Sequence, residues 1–319
     1  MKRLFALAIL ICALPAMAAE VFPEKPLRLV ISVPPGGAAD FTGRVVAAKL
    51  AELLGQNVVV EGRPGAGGII ACTYVTATTP DGYTLMLSSS TTHGAAPVLY
   101  KKLPYDAMKG FTHISGISLI PAMMAINADV PAKTVKDFVA LTKANPGKYY
   151  FSSSGNGSAP QLFGEAFKIK TGALMTHVPY KGSGPAVIDL AAGQVHMMMD
   201  GLPSLIGQIK SGKLRALAAM ADKRFAIFPD VPTMAEAGYP GLEDGVWYGL
   251  SGPAGIPRPV VEQLYKTMQR VLASPDVVER FATVGSYPMP IGPKDYEAFI
   301  VKENKKWGEI VRISGAAPD

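Results

Sequence analysis

The chain has 319 residues, 49% of them hydrophobic, and its 31 Lys and Arg exceed its 25 Asp and Glu to give a formal net charge of +6. That apolar content over so long a chain exceeds what one core usually supports, which predicts two lobes. The basic residues are scattered, with pairs such as Lys101-Lys102 and Lys305-Lys306 rather than a stripe, so a solvated surface explains them better than a nucleic-acid face does, and no nucleic-acid partner is expected.

Met1-Lys2-Arg3, the apolar run Leu4 to Leu14 and Pro15-Ala16-Met17-Ala18-Ala19 have the charged start, apolar middle and small-residue end of a secretory leader. Cleavage after Ala18 fits best. The apolar run is shorter than the roughly 20 residues that cross a bilayer, so the exported protein is expected in the periplasm with no stable membrane insertion. Cys12 follows Ile11, where a lipid-anchor signal needs a small residue. Loss of Lys2 and Arg3 lowers the charge from +6 to +4 and leaves Cys72 as the sole cysteine, so no intramolecular disulfide can form.

From Leu27 onward, short apolar runs alternate with amphipathic stretches, the pattern of a mostly parallel sheet covered by helices. Leu27 to Val33 reads as a buried strand and Pro34-Pro35-Gly36-Gly37 as a turn. Phe41, Val45, Ala48 and Leu50 then recur at helical spacing up to Gly55. Asn57 to Glu61 is the next strand, Gly65 to Gly68 opens a second helix, and Thr84 to Leu87 is a strand running into Ser88-Ser89-Ser90-Thr91. Thr134 and Asp137 form a capping box for a helix ending before Pro146-Gly147. Tyr149 to Phe151 is a strand leading to Ser152 through Ser158, and a helix covers Ala159 to Lys170. Further strands are predicted at Met175 to Val178, Val195 to Met199 and Leu214 to Met220, with helices starting near Gly184 and Pro203. Helices at Pro257 to Ala273 and Lys294 to Ser314 are better suited to packing on an existing lobe than to forming a third. The resulting division is a leader at 1–18, a first lobe at 19–125 completed by 247–319, and a second lobe at 126–246.

Three strand ends carry small, polar loops: Pro34 to Asp40, Ser88 to Thr91 and Ser152 to Ser158. In open α/β sheets ligands bind beyond the carboxyl ends of the strands, where helix N-termini present unpaired N–H groups and partial positive charge. An anion suits that setting. Glycines 36, 37, 155 and 157 allow close backbone approach, and the serines add hydroxyl donors, although the same residue types also serve ordinary turns. No nucleophile elbow is present, and Gly65 to Gly68 and Gly182-Ser183-Gly184 match neither a dinucleotide nor a triphosphate loop, so neither an enzyme nor a cofactor is expected. His196 and Asp200 sit four apart in an alternating strand pattern, poor spacing for a metal. Met197 to Met199 read as strand core. Asp200 ends an apolar strand, where its carboxylate either accepts from a ligand or caps a helix, and Trp247 reads as a hinge-side aromatic wall or a buried core residue.

Several segments carry a resemblance: Lys25-Pro26-Leu27-Arg28-Leu29-Val30, Pro34-Pro35-Gly36-Gly37 with Asp40, Glu61 through Gly68, Pro80 through Leu85, Leu103-Pro104-Tyr105-Asp106, Ser153 through Ser158, His177 through Gly182, and Pro229 through Thr233. Together, over almost all of the exported chain, these resemble the Bug family of periplasmic receptors for tripartite tricarboxylate transporters. The resemblance implies an α/β protein with a type II periplasmic-binding-protein fold: two α/β lobes joined by crossing strands, with a ligand cleft between them. It also implies a small mono-, di- or tricarboxylate as ligand, transporter membrane subunits as partners, and a monomer. The loop Pro35, Gly36, Gly37, Ala38, Ala39, Asp40 would hold one carboxylate. Ser153, Ser154, Gly155, Asn156, Gly157 and Ser158, with the helix start Ser183, Gly184, Pro185, Ala186, would engage the opposite end. Ser89, Ser90, Thr91, His93, Tyr180, Asp200 and Trp247 complete the candidate set. The segment Ser88 to His93 departs from the commonest pattern, which leaves ligand identity open and makes His93 a candidate for specificity. A carboxylate-sensing receptor, and a hydrolase or isomerase with Asp200 or His177 as base, are the rival readings.

Overall fold

Leu27–Ile31 is buried on both faces except at Arg28, and as β1 it pairs in parallel with β2 (Val58–Gly62) on one side and β3 (Thr84–Ser89) on the other. The computed structural model describes residues 22–314, so the leader read at 1–18 lies outside the described residues. Between β1 and β2 runs α1 (Ala38–Leu54), closed by Gly55 at φ 68°, the left-handed conformation that glycine adopts without penalty. A tight turn at Ala66–Gly68 leads into α2 (Ile69–Thr76), and a wide helical turn at Ser90–Ala95 leads into α3 (Ala96–Leu99).

The next strand, β4 (Phe111–Asn127), is 17 residues long and almost wholly buried. Beyond it lie α4 (Val135–Ala144), β5 (Tyr150–Ser153), α5 (Ala159–Thr171), β6 (Thr176–Pro179), α6 (Ser183–Ala191), β7 (Met197–Gly201), α7 (Leu202–Lys210) and β8 (Leu214–Met220). β5 pairs in parallel with β6 and β7, repeating the arrangement around β1. The chain then returns through β9 (Gly245–Pro253), α8 (Arg258–Ala273), α9 (Pro275–Ala282), β10 (Tyr287–Pro288) and α10 (Pro293–Ser314).

Among the described residues the strand order is β2-β1-β3-β9-β4-β7-β5-β6, with β10 and β8 also on β4. Phe111 to Pro121 of β4 pair antiparallel with β9, and from Ala122 onward the same strand pairs with β7 and β8. Pro121, which has no N–H to donate, stands where the partners change. β4 is thus the strand shared by the two halves, and β9 lies between its first part and β3.

Sequence periodicity did not expose these two strands because they contain residues that normally break strands. In β9, a Cβ at Gly249 would lie 2.0 Å from the Tyr296 hydroxyl, and one at Gly245 would lie 2.5 Å from the Ile120 carbonyl oxygen. Close packing, not a turn, requires these glycines. β4 also shifts register near His113 and Gly116, and Gly116 packs against Met289. Elsewhere the predicted elements differ from the observed ones mainly by one to four residues at their ends. His196 falls just outside β7, and its Nδ1 accepts from the Tyr150 N–H at 3.1 Å.

One apolar cluster extends from Leu27 and Leu29 through Ile120 and Met124 of β4 to Phe151, Phe163 and Phe167. Each such fully buried side chain contributes about 1.5–3 kcal/mol. The C-terminal helices α8 and α9 pack on α1. α10 covers both halves, because Trp307 meets Phe163 of α5 with ring centroids 5.6 Å apart. The indole N–H groups of Trp247 and Trp307 converge on one oxygen of Glu303, at 2.8 and 3.2 Å.

Candidate functional site

The loops that follow β1, β2, β3, β5 and β6, with Asp200 near the end of β7, open toward one another around a cavity of about 400 Å³, within the range of small-molecule sites. Two facing helices set its geometry. Gly37 immediately precedes α1 and Gly182 immediately precedes α6, and neither N-terminus has a side-chain cap. They approach closely: a Cβ at Gly37 would lie 3.3 Å from Ser183 Cβ, and one at Gly182 would lie 2.7 Å from the Pro34 ring. The Ala38 N–H at the start of α1 donates to Ser204 Oγ of α7 at 3.2 Å, joining the two halves at the cavity wall.

α5 is built differently. Its N-cap Ser158 accepts from the Gln161 N–H, and the Gly157 N–H donates to Gln161 Oε1 at 2.6 Å, so its first turn is already occupied. The Ala159 N–H donates to Thr91 Oγ1 at 3.3 Å, a second bridge between the halves. On the opposite wall, Ser89 and Thr92 cap each other reciprocally.

The structure brings Gly37, Ala38, Ala39, Ser89, Ser90 and Thr91 onto the cavity lining together with Ser154, Gly155, Asn156, Ser158, Tyr180, Ser183 and Asp200. The other candidates stand behind that lining. Pro35 and Gly36 form the exposed turn, Gly36 at φ 99°. Asp40 turns back on its own helix, accepting from the Gly36 N–H at 3.2 Å and from Arg44 Nε at 2.8 Å. Ser153 is fully buried, with its Oγ 3.1 Å from the Gly155 carbonyl and 2.6 Å from His177 Nε2, so it shapes the loop from beneath. Gly157 gives way to Leu99, and Gly184 backs onto the Pro35 carbonyl. Pro185 is exposed and Ala186 lies in the core beneath α6.

His93 departs furthest from expectation, whereas Trp247 takes the second of its two readings, a buried residue. His93 is fully buried between Phe111 and His113, its Nδ1 lies 3.0 Å from Thr92 Oγ1, and burial holds its pKa well below the usual imidazole value. Trp247 lines a separate hollow of about 500 Å³ beside Lys306. His93 is rare and chemically distinctive but is packed here among aromatic rings behind the lining, and Trp247 is the buried residue that its sequence setting allowed.

Sequence reasoning missed Ser32, the Gly65 to Gly68 turn, Tyr100, Lys181 and Val246 as lining residues. The turn carried a signal. Gly65, Ala66, Gly67 and Gly68 all have positive φ, from 46° to 128°, which only a glycine-rich stretch sustains. A Cβ on Gly67 would lie 3.0 Å from the Asn156 carbonyl of the other half.

Asp200 and Lys181 are the charged residues on the lining, and Lys181 is exposed. Asp200 is buried; its Oδ1 accepts from the Gly201 N–H at 2.7 Å, while Oδ2 has no hydrogen-bond partner. Burial pushes the Asp200 pKa up to about 6 despite the nearby hydroxyls of Ser183 and Ser204. Tyr248 is raised further above its usual range, first by burial and then by Asp200. His177 is lowered to about 4 by burial and by Lys168. No group of metal-ligating side chains occurs among the described residues.

The family described as tripartite tricarboxylate transporter family receptor matches residues 42–315. The protein BugT of Bordetella pertussis (strain Tohama I) is 36% identical over 301 residues, 94% of this chain and 92% of that one. Among solved structures, the periplasmic binding protein BugD is 34% identical with a TM-score of 0.89, covering 93% of this chain and all of that one. MatC from Rhodopseudomonas palustris with bound malate is 32% identical with a TM-score of 0.86, covering 91% of this chain and all of that one. The α/β architecture, with its two halves and the cavity between them, is therefore that of the periplasmic binding proteins, and the chain belongs to the family of tripartite tricarboxylate transporter receptors.

Proposed function

We propose that this protein is a periplasmic receptor that captures a small organic acid in the cavity between its halves and presents it to the membrane subunits of a tripartite tricarboxylate transporter. The observation that carries this reading is the pair of helix starts without side-chain caps, α1 and α6, that meet on the lining of the cavity between the halves. With the Ala38 N–H taken by Ser204, the remaining first-turn N–H groups and the positive ends of two helix dipoles favour an anion there without any buried arginine. Charge-assisted hydrogen bonds of this kind contribute about 1.5–3 kcal/mol each. The malate-bound relative supports a carboxylate as the anion.

On this reading, 19–125 with 247–319 form one lobe and 126–246 the other, and the change of partners along β4 supports that division. Binding selects the arrangement in which both lobes touch the ligand. A hydrolase reading is disfavoured, because the one close Ser–His pair at the site, Ser153 with His177, has its hydroxyl sealed beneath the loop. The protein is accordingly read as a monomeric binder without cofactor or catalysis.

A thermal-shift screen against aliphatic, amino and aromatic mono-, di- and tricarboxylates tests the proposal. A cognate acid at a hundred times its Kd stabilises the fold by about 2.7 kcal/mol and raises Tm by several degrees. A panel in which no carboxylate shifts the transition sinks the reading.

A further inference from the structure

An anion drawn to the starts of α1 and α6 arrives beside Asp200. Ser204 Oγ accepts from the first N–H of α1, Ser183 opens α6, and both hydroxyls adjoin the Asp200 carboxyl. That carboxyl belongs to a fully buried stretch of β7, with Met123 of β4 opposite it. One oxygen is satisfied by the Gly201 N–H and the other, Oδ2, has no partner. Among the described residues no cation stands close by to neutralise it. From β9 it meets the phenol of Tyr248, from α6 and α7 the two serine hydroxyls, and from α1 the uncharged Ala38; the carboxylate of Asp40 is turned away onto Arg44. Lys181, on the lining between β6 and α6, is exposed.

We propose that Asp200 binds the ligand as the neutral acid, its Oδ2–H donating to the ligand carboxylate, so that each anion is captured together with one proton. The inference rests on the carboxylate-receptor reading above and assigns a role to one residue within it. Two carboxylates enclosed at hydrogen-bonding distance do not both stay ionised; one takes a proton and the pair shares it. The proton comes from the solvent as the anion enters, and no covalent bond is made or broken. Burial has already brought Asp200 most of the way, to about 6 in the empty cavity, so protonation near neutral pH costs little more than about one pH unit of affinity. The opposite arrangement, an ionised Asp200 accepting from a ligand ammonium or hydroxyl, predicts no proton uptake.

Isothermal titration calorimetry decides between them, using malate, adipate, glutamate and citrate at pH 7.5 in phosphate and in Tris, whose ionisation heats differ. For an acid that binds, the expected result is uptake of close to one proton per ligand and an affinity that falls about tenfold per pH unit from 7 to 8.5. His93, His113 and His177 are held uncharged by burial, two of them near 4, so they do not supply that dependence. The Asp200→Asn variant keeps a donor at the same place. It is expected to bind with no proton uptake and no pH dependence, and at pH 8.5 at least about tenfold more tightly than the wild type. Wild-type binding without proton uptake overturns this inference alone, and abolished binding in a folded Asp200→Asn points to the ammonium or hydroxyl arrangement. If no acid binds the wild type, the receptor reading falls and this inference falls with it. Should the variant not fold, the proton count of the wild type still decides the matter.

Discussion

Asp200 bears the clearest thermodynamic signature of any single residue at the site. Its pKa rises from 3.8 in an open chain to about 6 in the fold, so between those values the native state holds more protons than the unfolded one. Stability from this group is therefore greatest below pH 3.8, declines as pH rises to about 6, and stays low above it. Asp200→Asn removes that penalty: it should stabilise the unliganded protein at pH 7.5 by up to about 3 kcal/mol and give no such gain at pH 4. Thermal melts of both proteins at the two pH values measure this, and an equal Tm difference at both would rule it out. That a charge closes an apolar strand was legible in the sequence, whereas its unpaired oxygen was not, because that depends on three other chain segments. The same limit hid the Gly65 to Gly68 turn, whose neighbours across the cavity lie about ninety residues away in the sequence.

Helix starts divide into two kinds. α4 opens on a capping box, in which Thr134 Oγ1 accepts from the Asp137 N–H at 3.1 Å and Asp137 accepts from the Thr134 N–H at 3.0 Å. α1 and α6 open on glycine with no cap. Thr134→Ala should cost about 1 kcal/mol in a denaturant titration and leave ligand affinity unchanged, since α4 does not line the cavity. A change in affinity would show the helix to be coupled to the site. Capping of this sort is local in sequence and was read directly from Thr134 and Asp137. β4 and β9 were not readable in that way. Their glycines, and Pro121, signal turns when taken one by one, and only the packing of Tyr296, Met289 and Ile120 against them shows why those residues stand inside strands.

At the scale of the whole molecule, length and apolar content implied two halves, and the segments resembling a known receptor family implied their order. The sites of contact across the cavity were beyond reach, because strand spacing says nothing about which loops converge. Bridges from Ala38 to Ser204 and from Thr91 to Ala159 hold the halves together at the cavity, while α10 spans them from outside. The sequence contains two tryptophans, and both indoles share Glu303 at this outer junction. All tryptophan emission from the protein therefore originates where the halves meet. Any rearrangement there on uptake of a cognate acid should alter the intensity or wavelength of that light without an added label. Replacing Glu303 with Gln should change the unliganded spectrum, and a fluorimeter and one titration suffice to test for such a rearrangement.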